Sequence, residues 1–95
     1  MQPLTTGEIQ QHLGELKGWR IEDGQLTKTY QFDTFVLAIN FVNGVGDLAE
    51  RAGHHPDIDI RYNKVRLNLS SHDAGGITAK DFDLAAQVDK LGVEP

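Results

Sequence analysis

Apolar residues recur along this chain at two spacings, and the changes from one spacing to the other mark out its elements. Ile9, Leu13 and Leu16 return every three or four residues behind Thr5-Thr6-Gly7-Glu8, whose Thr-x-x-Glu spacing is that of a capping box. A short first helix is therefore predicted, with Gly18 placed to end it and His12 on its solvated side. Trp19 and Ile21, then Leu26, Tyr30 and Phe32, alternate on either side of Asp23-Gly24, a two-residue turn signal that predicts a hairpin of strands over 19–22 and 25–32. Asp33 is placed to cap a longer second helix, whose stripe of Phe35, Val36, Ile39, Val42, Val45, Leu48, Ala49 and Ala52 is wide enough to cover a sheet face. Gly44 and Gly46 inside that helix point to close packing, for example against another subunit, and Gly53 suits the left-handed position that ends it.

Strict alternation returns in Asp57-Ile58-Asp59-Ile60-Arg61-Tyr62 and in Lys64-Val65-Arg66-Leu67-Asn68-Leu69. A two-residue turn at Asn63-Lys64 would set Tyr62 opposite Val65, Ile60 opposite Leu67 and Ile58 opposite Leu69, with all six apolar side chains on one face and Arg61 facing Arg66 on the other. Gly75-Gly76 then breaks the chain, and Thr78-Ala79-Lys80-Asp81 opens a third helix that turns Phe82, Ala85, Val88 and Leu91 inward. The order α-ββ-α-ββ-α, with every strand half-buried, predicts an α+β domain: a four-stranded antiparallel sheet with three helices packed on one face.

Composition narrows the function classes. Ninety-five residues at 39% hydrophobic are enough for a single domain, 1–95, with a modest core. A net charge of −5 without clustered Lys or Arg argues against a nucleic-acid surface. The absence of cysteine removes disulfides, thiolate metal sites and a cysteine nucleophile. No run of about 18 apolar residues and no basic, then apolar, leader is present, so no membrane association is expected and a cytoplasmic location is.

The chemistry gathers in 50–81, which holds three of the four histidines. His54 and His55 follow the second helix, and Pro56 biases them toward extended backbone, where neighbouring side chains point to opposite sides. His72 lies just past the second hairpin's last strand. In an antiparallel pair that strand end returns beside the start of the first strand, so His54, His55 and His72 meet at one end of the sheet. Glu50, one helical turn before His54, is placed to hydrogen-bond an imidazole and fix its tautomer. Imidazoles exchange protons near neutrality, which makes acid-base catalysis the leading reading. A metal site ranks below it, because the adjacent pair faces opposite ways and no further ligand stands at a usual spacing. Ser70 and Ser71 flank His72 but lack the strand-to-helix elbow that presents a nucleophile. Trp19 is either partial core or a stacking platform for a flat ligand.

Glu50, His54-His55-Pro56, Tyr62, His72 and Asp81 reproduce a spaced pattern, and on it the chain resembles the pterin-4a-carbinolamine dehydratases. Tyr62-Asn63-Lys64-Val65, Leu69-Ser70-Ser71-His72, Gly76-Ile77-Thr78 and Trp19 extend the resemblance over nearly the whole chain. Ile58 and Gly53 depart from it, standing where relatives often carry a tryptophan and a polar residue. The resemblance implies dehydration of 4a-hydroxytetrahydropterin to quinonoid dihydropterin, the recycling step after aromatic amino acid hydroxylation, without metal or cofactor. It implies that His54 and His72 transfer protons, that His55 helps bind and orient the pterin, and that Glu50 and Asp81 shape the site, with the Ser70 and Ser71 backbone and Trp19 against the substrate. It further implies a homodimer or homotetramer and a functional link to a hydroxylase. Relatives that act as a coactivator of a homeodomain transcription factor, or as an assembly chaperone for a carbon-fixing enzyme, make a protein-binding role the alternative.

Overall fold

In the computed structural model, which describes residues 2–91, each helix begins on a threonine. Thr5 and Glu8 form the expected capping box ahead of α1 (Thr6–Leu13), the glutamate accepting from the Thr5 amide at 2.8 Å. Thr78 and Asp81 form a second one ahead of α3 (Ala79–Asp89). α2 (Phe35–Ala52) is capped by Thr34 rather than Asp33: extended backbone at Thr34 turns its hydroxyl onto the Leu37 amide at 3.1 Å, within reach of the helix's unpaired donors. α1 stops at Leu13, short of Gly18, because the amides of Glu15 and Leu16 bond carbonyls three residues back and tighten the chain into turns. His12 is also less solvated than its position implied, since its ring stacks on Phe82 of α3 at 4.9 Å between centroids.

β1 (Arg20–Glu22) and β2 (Gln25–Gln31) form the first hairpin, with Asp23 and Gly24 both at positive φ as such a turn requires. β3 (Asp57–Arg61) and β4 (Lys64–Leu69) form the second. The sheet order is β1-β2-β4-β3 with every pairing antiparallel, and the helices pack on one face of it, the α+β arrangement that the sequence predicts. The second hairpin is shifted by two residues from the expected register. Its turn is Tyr62-Asn63, so Ile60 faces Val65, Ile58 faces Leu67, and Leu69 has only Leu26 of β2 beside it. Asn63 decides this: its side chain donates to the Phe32 carbonyl at 2.7 Å while its own carbonyl accepts from the Phe32 amide at 2.9 Å, which ties the turn to the end of β2. The expected Arg61–Arg66 opposition is replaced by Asp59 facing Arg66, and Tyr62 leaves the core face for the exposed turn, at φ +54°.

Trp19 ahead of β1, Leu26 and Tyr30 of β2, Val65, Leu67 and Leu69 of β4, Ala38, Phe41 and Val45 of α2, and Ile77 ahead of α3 with Phe82, Leu84, Ala85 and Val88 within it build the core. The inward arc of α2 is thus narrower than its apolar stripe. Phe35, Val36 and Leu37 are all exposed, and three consecutive residues span more than half the helix circumference, so the first turn of α2 is uncovered. Gly44 packs within the chain, where a Cβ would stand 3.3 Å from Leu91, whereas Gly46 faces open space. No helix among the described residues is long and apolar enough to cross a membrane.

A carboxylate ties the far end of α3 to the first hairpin. Asp89 accepts from the Trp19 indole at 3.0 Å, from the Lys28 ammonium at 2.9 Å and from the Tyr30 hydroxyl. Burial, and then the bond to Asp89, raise the Tyr30 phenol well above its usual range. A carboxylate in the last turn of a helix opposes the helix dipole, so these three donors are what hold it there. Asp89→Ala leaves the Trp19 indole and the Tyr30 hydroxyl without their acceptor and the Lys28 ammonium with only the Lys17 carbonyl, at 2.8 Å. It should lower the unfolding free energy by about 2–3 kcal/mol in urea titration, with a smaller loss for Asp89→Asn. A change below about 0.5 kcal/mol in the alanine variant would show that the cluster is not a structural tie.

Candidate active site

The site begins where α2 ends. Gly53 takes the left-handed conformation at φ +63°, its amide bonding the Glu50 carbonyl while the His54 amide reaches the Ala49 carbonyl at 3.1 Å. This paired closure folds His54 back against the helix end, and a side chain at position 53 would be strained in that conformation. Pro56 and β3 then carry the chain away in extended form, so His54 and His55 diverge, as adjacent extended residues must.

His54 turns inward, its side chain only 12% exposed, and its Nε2 lies 2.5 Å from Oδ1 of Asp81 in the first turn of α3. His55 turns outward and its Nε2 lies 2.6 Å from Oε2 of Glu50, both side chains well exposed. Each imidazole therefore has its own carboxylate. The partner of the Glu50 carboxylate is His55, and the His54 partner comes from 27 residues away.

Asp81 has no exposed surface, so its oxygens must find donors within the fold. Oδ2 accepts from the Ser71 hydroxyl and from the Thr78 amide, both at 2.9 Å. With the Ser71 proton directed at Asp81, the Thr78 hydroxyl is the donor in the 2.8 Å contact between the two side chains. Oδ1 faces His54 alone. An acceptor-only carboxylate there requires the proton on His54 Nε2, which leaves Nδ1 as the basic nitrogen.

His72 reaches the same place on a short loop. Ser71 and Gly76 exchange backbone hydrogen bonds at 2.9 and 3.3 Å, closing a neck, and His72–Ala74 form a single 3-10 turn beyond it. Gly76 admits no side chain without displacing Pro3, whose Cβ would lie 3.2 Å from an added Cβ. His72 is exposed and its Nε2 stands 3.5 Å from the Ser70 hydroxyl. A cavity of about 300 Å3 is lined by His54, His55, His72, Ser70 and Ser71 together with Gly53, Asp73, Ala74 and Lys80. The convergence expected from the hairpin is present.

Glu50 and Asp81 stand behind the lining histidines rather than in the wall. The Ser71 side chain is committed to Asp81 and Thr78, so what it does at the site passes through Asp81. Trp19 is not brought to this cavity. It is buried in the core with its indole on Asp89, as the partial-core reading of its place in the sequence had it. Lys80 and Asp73 line the cavity without having drawn notice in the sequence. Only the position of Lys80, beside the capping Asp81, could have pointed to it. Among the described residues no three His, Asp or Glu side chains are grouped to hold a metal ion.

Residues 2–91 match the model of the family described as pterin 4 alpha carbinolamine dehydratase. A relative from Roseiflexus castenholzii assigned the name pterin-4-alpha-carbinolamine dehydratase is 57% identical over 93% of this chain and 95% of its own. One from Acidobacterium capsulatum with the same name is 50% identical over 96% and 99%. Among solved structures, a transcriptional coactivator/pterin dehydratase from Brucella melitensis superposes with a TM-score of 0.88 at 31% identity, covering 93% of this chain and 96% of that one. A pterin dehydratase-like protein identified as a RuBisCO assembly factor in the alpha-carboxysome superposes with a TM-score of 0.67 at 26% identity, over 78% and 88%.

Asp81→Asn keeps the size of the side chain and exchanges an acceptor for a donor opposite His54. In 15N NMR of the imidazoles, His54 should carry its proton on Nε2 in the wild type and on Nδ1 in the variant. The same tautomer in both would show that Asp81 does not set it.

Proposed function

Because the chain belongs to the pterin 4 alpha carbinolamine dehydratase family, we propose that it removes water from a 4a-hydroxytetrahydropterin to give the quinonoid dihydropterin. The observation that carries this reading is the cavity lined by three histidines, one of them oriented by a buried carboxylate. In the reaction the C4a–oxygen bond breaks, the hydroxyl leaves as water with a proton from an acid, and N5 gives its proton to a base as the N5=C4a double bond forms. His54, with Nδ1 free and Nε2 on Asp81, suits the base, an imidazole held by a carboxylate that also steadies the imidazolium formed. His72, exposed in the cavity lining with only the Ser70 hydroxyl beside its Nε2, suits the acid. His55, braced by Glu50, binds and orients the ring from the rim, with the backbone of Ser70 and Ser71 along its edge. Such a step serves pterin recycling after aromatic amino acid hydroxylation, which links the protein functionally to a hydroxylase. The coactivator and assembly roles in the names of the two structural neighbours require a binding surface and not this pocket, so the complete histidine set favours the enzyme.

The test is the ultraviolet decay of 4a-hydroxytetrahydropterin generated by a hydroxylase. Wild-type protein should accelerate it, and His54→Ala and His72→Ala should each lose about 100- to 10,000-fold while keeping native circular dichroism. A folded wild type that leaves the decay unchanged would exclude the dehydratase reading.

The uncovered first turn of α2, with Phe35 48%, Val36 64% and Leu37 46% exposed, and the free edge of β3 favour a homodimer or homotetramer. Light scattering should give an oligomer for the wild type and a smaller species for Val36→Glu combined with Leu37→Glu. A wild type that stays monomeric at all concentrations would contradict this.

A further inference from the structure

His72 is held less firmly by its own contacts than the other two histidines of the cavity. His54 is fastened to Asp81 at 2.5 Å and His55 to Glu50 at 2.6 Å, but Nε2 of His72 has only the Ser70 hydroxyl at 3.5 Å, the outer limit of a hydrogen bond. Its 3-10 turn has no side-chain cap. The place of this imidazole at the cavity therefore depends on the backbone neck between Ser71 and Gly76. One side of the neck is anchored from within, since the Ser71 hydroxyl donates to the buried Asp81. The other side, Gly76 and Ile77, is covered by the first residues of the chain. The Leu4 amide donates to the Ile77 carbonyl at 2.8 Å, and Pro3 lies so close that a Cβ on Gly76 would stand 3.2 Å from its own Cβ.

The helix that follows holds those first residues in place. Thr5 caps α1 directly after Leu4, and Leu4, Ile9, Leu13 and Leu16 all pack against the core. His12, toward the other end of α1, stacks on Phe82, the residue after Asp81. α1 is thus seated against the start of α3 while the residues leading into it lie across the neck. An exposed loop closed by a few backbone hydrogen bonds opens at little free-energy cost unless something covers the closure. We propose that Pro3 and Leu4 form a strap across the neck of the His72 loop and are positioning residues for His72. The strap's effect on turnover rests on the dehydratase reading, and its effect on the loop does not.

Two substitutions disturb the strap without touching a histidine. Pro3→Gly takes the ring away from Gly76. Gly76→Ala, at a backbone without positive φ that alanine accepts, drives a methyl group against Pro3. In each variant the Ser71 amide, bonded to the Gly76 carbonyl, should exchange its hydrogen about tenfold faster, while the Val65 and Leu67 amides of the central strand β4 keep their wild-type rates. NMR of the imidazoles should show the His72 signals moving and those of His54 and His55 staying in place. In the dehydratase assay each variant should lose about tenfold in kcat with KM little changed, and the combined variant should lose no more than Pro3→Gly alone. Pro3→Gly should cost nothing further in a His72→Ala background, whereas a general loosening of the site would cost the same there. Unchanged Ser71 exchange or unchanged His72 signals in both variants would overturn the strap, as would a tenfold loss that persists when His72 is already alanine. A wild type without dehydratase activity whose Ser71 exchange and His72 signals still respond as expected would overturn the dehydratase reading and leave the strap standing.

Discussion

A carboxylate with no exposed surface organises the working end of this protein. Asp81 must replace its lost hydration with hydrogen bonds, and it does so with the Thr78 amide, the Ser71 hydroxyl and the His54 imidazole. The three donors come from the start of α3, the end of β4 and the end of α2. Satisfying one buried group therefore ties the start of α3 and the loop after β4 to the end of α2, 27 residues away, and the histidine's tautomer follows from the same bonds. Stability and site geometry meet in one side chain, because the carboxylate that caps α3 also orients His54.

The other parts of the site are positioned by tight backbone closures. The paired closure at Gly53 sets where His54 leaves α2, and the Ser71–Gly76 neck sets where His72 projects beyond β4. Both closures lie at one end of the sheet because β3 and β4 are antiparallel neighbours, so the beginning of one strand and the end of the other coincide. The helix that carries Asp81 is held at its other end by Asp89, which takes its donors from Trp19, Lys28 and Tyr30 on the first hairpin and the residue leading into it. α3 is thus fastened to the scaffold by an acidic side chain in its first turn and another in its last. Such double fastening limits how far the 2.5 Å contact between His54 and Asp81 can drift with the helix.

Much of this was legible along the chain. The capping boxes of α1 and α3, the Asp23-Gly24 turn and the left-handed residue after α2 depend on neighbours a few positions apart, and local spacing carries that information directly. The meeting of His54, His55 and His72 needed only the further step that two alternating strands joined by a short turn must lie antiparallel. Alternation, however, has a period of two, so it assigns faces and cannot distinguish registers that differ by two residues. The actual turn at Tyr62-Asn63 is selected by Phe32, a residue of another hairpin.

Spacing along the chain is enough for the element order and for the end of the sheet where the histidines gather, because each of these follows from interactions local in the chain. Tertiary structure alone decided that Asp81 serves His54 while Glu50 serves His55, that Trp19 belongs to the core with Asp89, and that the first turn of α2 is left bare. All three depend on where α2 and α3 settle against each other and against the sheet. That placement is a compromise among many weak contacts between distant residues, and no single spacing along the chain records it.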